Sequence, residues 1–111
     1  MSNECSEEML FCAIGDEARR RIIKLLLKKG EMETNQLVGE LLKSDPLIAG
    51  VGWHLRILER SGIVERRFDP AAPIMFDKFY HVNKEKLKEA LDLIENYVNE
   101  LKKSFEEVEE S

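Results

Sequence analysis

Between Leu87 and Val108, apolar side chains return at alternating intervals of four and three residues, through Leu91, Ile94, Val98, Leu101 and Phe105. That spacing lines them up along one side of an α-helix, so the end of the chain is predicted to be a single helix with an a/d seam kept over three heptads. Such a helix constrains everything before it, because its stripe has to be covered. Each side chain of the seam stabilises by roughly 1.5–3 kcal/mol when fully buried, and a terminal helix lying in water forfeits that. The seam is therefore expected to pack partly on its own domain and partly on a second copy of the chain. Homodimerisation is the prediction, with Met9, Leu87, Leu91, Ile94, Val98, Leu101 and Phe105 as the interface.

A length of 111 residues suits one domain, since a second core would have too little sequence. With 43% apolar and 35% charged residues, there is enough apolar surface for a core and too little net charge for a disordered chain. No run of 18 apolar residues exists, and Met1 to Glu8 is acidic and polar where a signal peptide is basic and then apolar. A cytoplasmic protein without a membrane partner is expected. The net charge of −5 argues against nucleic acid only until it is divided along the chain. Arg19, Arg20, Arg21, Lys24, Lys28 and Lys29 crowd one stretch, and Arg56, Arg60, Arg66 and Arg67 another, while both ends are acidic. One positive face is compatible with that distribution.

Ahead of the seam the punctuation is local. Glu7 to Ile14 reads as a short helix, and Gly15-Asp16 as a break and an N-cap. A second helix follows, with Ala18, Ile22, Leu25 and Leu26 at helical spacing, Lys28 and Lys29 at its negative end, and Gly30 as cap. Thr34 is the predicted N-cap of a third helix whose apolar face is Leu37, Val38, Leu41 and Leu42, ending near Lys43. Ser44-Asp45-Pro46 reads as a cap with proline at the first helical position, opening a fourth helix with Leu47, Val51, Leu55 and Leu58 inward and Ser61-Gly62 at its end. Two β-rich runs, Ile63 to Phe68 and Met75 to Val82, flank a Pro-containing tip and predict a hairpin.

Helix, short turn, helix and then a hairpin is the order of a winged helix-turn-helix. The run from His54 to Val64, HLRILERSGIV, resembles the end of the recognition helix and the first wing strand of ArsR-type repressors. Asp16 to Ile23, DEARRRII, is similar to that family's second helix, and Phe79-Tyr80-His81-Val82 to its returning wing strand. The resemblance spans about residues 14–105. It implies a mainly α fold with a small β-hairpin: a single winged helix-turn-helix domain over 1–111, its core over 7–82 and a dimerisation helix over 83–108. It also implies a transcriptional regulator, a dimeric repressor, whose fourth helices enter major grooves of double-stranded DNA while the wings touch flanking backbone.

On a helical wheel with Leu47, Val51, Leu55 and Leu58 inward, the opposite face presents Ala49, Gly52, Trp53, Arg56 and Arg60, which with Gly50 are the candidate DNA-facing positions. Arg56 suits either a bidentate contact to guanine or a phosphate. Gly50 and Gly52 would admit close backbone approach, and Ala49 or Ile48 would meet thymine methyl groups. Trp53 suits DNA, the wing or a partner protein equally. His54 points inward and reads as a hydrogen-bonded structural residue rather than a ligand. Arg66, Arg67 and Lys78 on the hairpin are candidate phosphate contacts, as are Arg19, Arg20 and Thr34 with its helix N-terminus.

No nucleophile, base and metal set is legible, nor a Gly-rich phosphate loop, so no enzyme is expected. The third helix carries no cysteine and the last helix no histidine, so no metal or cofactor is expected. Cys5 and Cys12, seven apart, leave room for a thiolate site shared between two subunits, although helical cysteines mostly act as small apolar residues. No small-molecule effector is legible. Two other readings stand beside the regulator: a winged-helix module that binds a protein through Ala49, Gly52 and Trp53, and an architectural DNA binder without a preferred site.

Overall fold

The structure, a computed structural model, describes residues 7–68 and 78–110. Its elements run α1 (Glu7–Ile14), α2 (Glu17–Lys29), β1 (Met32–Glu33), α3 (Thr34–Ser44), α4 (Val51–Ser61), β2 (Val64–Phe68), β3 (Lys78–Val82) and α5 (Lys84–Glu110). Cys5, the hairpin tip and Met75 to Asp77 of the predicted second strand lie outside the described residues.

The architecture is the expected one, mainly helical with a small antiparallel sheet and a long last helix. One cluster of buried side chains draws on every element. Leu10 and Ala13 come from α1, Ile22 and Leu26 from α2, Leu37 and Leu41 from α3, Leu55 and Leu58 from α4, and Leu87 and Ala90 from α5. Asp16 caps α2 as its sequence suggests, accepting hydrogen bonds from the N–H groups of Ala18 (2.8 Å) and Arg19 (3.3 Å). At the other end the Gly30 N–H returns to the Leu26 carbonyl at 2.8 Å.

The sheet holds one strand more than the predicted hairpin. Its order is β1-β3-β2, with Met32 opposite Tyr80 on one side of β3 and Arg66 opposite Tyr80 on the other. Two residues are too few to carry a period-two signal, so β1 has no signature in the sequence. Its formation moves the next cap by one residue. Glu33, not Thr34, caps α3, its carboxylate accepting from Asn35 (3.1 Å) and Gln36 (3.3 Å). Thr34 is instead the first helical residue, and its hydroxyl donates to the Lys78 carbonyl at 3.2 Å.

The fourth helix is shorter than the sequence implies. Ser44 still belongs to α3, Asp45 caps that helix through its N–H to Leu41 (2.9 Å), and α4 begins at Val51. The intervening turn is held by Asp45, whose carboxylate accepts from the Leu47 N–H at 3.2 Å and whose carbonyl accepts from Ile48 at 3.0 Å. Leu47 is therefore 91% exposed rather than inward, and Ala49 and Gly50 precede the helix instead of lying on it.

Gly50 sits at φ 69°, ψ 30°, in the left-handed region. Its glycine is a conformational requirement of the turn. Gly50→Ala is expected to cost about 1–2 kcal/mol, whereas Gly52→Ala, within the helix and with open space where a Cβ would lie, should gain up to about 1 kcal/mol from helix propensity. Denaturant unfolding of the pair checks both signs.

The N–H of Lys86 is held at 3.0 Å by the side chain of Asn83, which opens α5. The stripe of α5 that faces the core shares only Leu87 with the seam. Leu87, Ala90 and Leu93 pack into the chain's own core, and Tyr97 meets Phe11 edge to face at 5.5 Å between ring centroids. Leu87 is thus taken up inside its own subunit, while Leu91, Val98, Leu101, Phe105 and Val108 stay exposed. With 27 residues, α5 is about 40 Å long. Its outer half projects, so the radius of gyration is 16.9 Å where about 13 Å suits a compact chain of this length.

Candidate nucleic-acid interface

Ridge by ridge, α4 separates into two sides. Leu55, Ile57, Leu58 and Ser61 are buried, and Gly52, Trp53, Arg56 and Arg60 are exposed. The buried side is pinned polar group by polar group. Ser61 donates to the Leu58 carbonyl at 2.7 Å and accepts from the Ile63 N–H at 3.2 Å, joining the end of α4 to β2. His54, with a side chain only 14% exposed, accepts at Nδ1 from Arg19 at 3.0 Å, since a guanidinium can only donate. It is the hydrogen-bonded structural histidine the sequence suggests.

Arg19 itself is not a phosphate contact. Its guanidinium is buried and donates to the carbonyls of Cys12 (2.7 and 3.1 Å) and Ala13 (3.2 Å) as well as to His54. One side chain thus ties the end of α1 and the start of α2 to α4. The wheel carries this signal: Arg19 falls in line with Ile22, Ile23 and Leu26, the buried stripe of α2. Arg20 is exposed, and donates to the Ile14 carbonyl at 2.8 Å. For Asp16 alongside, burial pushes the carboxyl pKa up. The N–H groups of Arg19 and Ala18 and the charge of Arg19 outweigh it, holding the group below its usual range. A lowered carboxyl stabilises fully above the unfolded value, and that contribution goes as pH falls through the lowered one.

Between α3, α4 and the sheet lies a cleft of about 360 Å³. Five of the predicted contact residues meet around it, Thr34, Gly52, Arg56, Arg66 and Lys78, although they are spread over 45 positions of sequence. Glu59 is the carboxylate of the cleft, and Arg66 binds it at 3.0 Å. Burial first, and then the Glu59 charge, push the Tyr80 hydroxyl above its usual range, against smaller opposing effects of Arg66 and Thr34. It is a neutral hydrogen-bonding group at physiological pH.

The two wing arginines do not act together. Residues alternate across a strand, so Arg66 shares the cleft face with Tyr80 while Arg67 lies opposite Phe79 on the other face. There Arg67 stacks on the Phe79 ring, 4.5 Å from its centroid, and grips both oxygens of Glu31, one of them at 2.8 Å. That hydrogen bond holds the Glu31 carboxyl below its usual range, against a smaller opposing effect of burial. His81 on the same face meets Glu65 at 3.1 Å. The carboxylates that occupy Arg66 and Arg67 were not legible in sequence, because both pairings are tertiary.

Cys12 is exposed. Among the described residues no three of His, Cys, Asp and Glu gather as a metal site, and no helix is long and apolar enough to cross a membrane.

Residues 16–66, from the cap of α2 to the middle of β2, match the family described as bacterial regulatory proteins of the arsR family. The chain is 34% identical over 86 residues to the uncharacterized HTH-type transcriptional regulator MJ1325 of Methanocaldococcus jannaschii, covering 78% of this chain and 88% of that one. Among solved structures it resembles the M. tuberculosis protein Rv0081 in fold, with a TM-score of 0.54 at 23% identity over 88% of this chain and 91% of the other.

Proposed function

Because the chain belongs to the arsR family of bacterial regulatory proteins, a family of DNA-binding transcriptional regulators, we propose that it is a dimeric, cytoplasmic repressor reading specific operators in duplex DNA. Each α4 enters a major groove, and each wing lies along the flanking backbone. The observation that carries the reading is the exposed side of α4 with the Arg56, Arg66 and Lys78 cleft beside it. Arg66 and Lys78 position the subunit on phosphates, the Thr34 hydroxyl being engaged by the Lys78 carbonyl, and Arg56 reaches a base edge. Arg60, exposed one turn further along α4, continues the same face. The site is one of binding, with no catalytic step.

Selection of bound sites from random duplexes at a stated salt concentration tests this. The expected product is a pseudo-palindrome with half-sites about one helical turn apart. Binding without enrichment would leave the architectural reading, and no binding even at low salt would leave the protein-interaction module.

Point variants divide the contacts. Arg56→Ala is expected to weaken operator binding by at least about tenfold, within the range of a lost bidentate base contact. Lys78→Ala, removing a phosphate contact on the wing side of the cleft, should cost less, equally on all sequences, and make the salt dependence shallower. Equal affinities of both variants and the parent would count against this docking.

A further inference from the structure

We propose that the turn leading into α4, together with the first turn of that helix, reads the C5-methyl groups of thymine, through Leu47, Ala49 and Trp53. The inference rests on the DNA-binding reading above and adds what that surface recognises. From Pro46 to Trp53 the exposed residues are Pro46, Leu47, Ala49, Gly50, Gly52 and Trp53. None carries a hydroxyl, amide or charge, and the indole N–H is their lone side-chain hydrogen-bonding group. A base edge offers this stretch few polar contacts. The one apolar feature of the major groove is the thymine methyl.

The display is built. Arg21 holds the Asp45 carboxylate at 3.2 Å, Asp45 holds the Leu47 and Ile48 N–H groups, and Ile48 and Val51 pack on the core. Leu47 is thereby fixed at its backbone with 91% of its surface in water, and Trp53 is 57% exposed. Gly50 turns the chain between them, and nothing stands within 4 Å of the Cβ position of Gly52. Two apolar side chains therefore rise from a nearly bare backbone. The patch runs directly into the Gly52 and Arg56 edge of the cation-lined cleft, so a duplex seated there meets it. The structure alters the sequence-based expectation here: Ile48 faces the core rather than the groove.

The test uses the full chain and the duplex it selects. Replacing thymine by deoxyuridine removes the methyl and leaves pairing intact. One such change under α4 is expected to weaken binding about fourfold, the effect of one buried methyl, and the same change outside the half-sites should have no effect. A Leu47→Ala/Trp53→Ala variant should bind the thymine duplex as weakly as the deoxyuridine one, lose nothing further on uridine substitution, and keep the parent's salt dependence. Both residues are on the surface, so its thermal unfolding should match the parent's. Tight binding that ignores every thymine-to-uridine change, or a methyl effect that survives in the double variant, would overturn the inference alone. Failure to bind any duplex would instead overturn the DNA-binding reading beneath it.

Discussion

A Leu101→Glu/Phe105→Glu variant is expected to sediment as a monomer at micromolar concentration, where the parent chain sediments as a dimer, and to bind a two-half-site operator at least about 100-fold more weakly. The argument starts from how α5 is spent. Its first turns go to the chain's own core through Leu87, Ala90 and Leu93, and Tyr97 closes on Phe11. Beyond that point Leu101 is 53% exposed, Phe105 64% and Val108 72%. An exposed stripe on a projecting helix is the feature the proposed second copy would cover, and a charge in its middle, once desolvated and unpaired, opposes association. Two linked half-site contacts exceed one by about 10²–10⁴ in affinity through effective concentration alone, so the loss on a whole operator should be large. Binding to a single half-site should barely change, and far-UV circular dichroism should stay near the parent's. A parent chain that sediments as a monomer would remove the dimer from the proposal.

The second large effect is predicted at Arg19. Arg19→Met keeps much of the buried volume but leaves the Cys12 and Ala13 carbonyls and His54 Nδ1 without their donor. No basic residue stands in the last turn of α1, so the guanidinium also supplies the positive charge favoured at that helix end. Unsatisfied buried groups cost about 1–3 kcal/mol each. A total of roughly 2–4 kcal/mol, or a melting temperature lowered by at least about 10 °C, follows for a domain of this size. Arg20→Met, one residue along and on the exposed side, should stay within about 0.5 kcal/mol. Equal effects of the two would mean that the contacts of Arg19 to α1 and α4 do not hold the fold together.

The same two residues show what was legible beforehand. Arg20 and Arg19 are equal in composition and in net charge, and a reading by charge alone makes both of them phosphate ligands. Helical phase separates them, because Arg19 shares the stripe of Ile22, Ile23 and Leu26. Period two likewise separates Arg66 from Arg67 across the wing. Their partners, Glu59 and Glu31, are set by how α4 and the β1 edge approach the hairpin, which no local pattern encodes. The start of α4 failed for a similar reason. Ser44-Asp45-Pro46 followed by Leu47, Val51, Leu55 and Leu58 is locally a well-formed helix entry, yet Asp45 is engaged by Arg21 from α2. The left-handed Gly50 then interrupts the segment before the helix proper, and Leu47 is left outward.

The helices, their phases, the hairpin and the long apolar seam follow from the residues in order, since caps, glycines and periodicity act within about one turn of chain. Which cations remain for a ligand, where α4 begins, and how the seam is shared between core and surface depend on groups far apart in sequence. Those outcomes are settled by packing, because a charge or an apolar side chain takes its role from whatever the folded chain brings beside it.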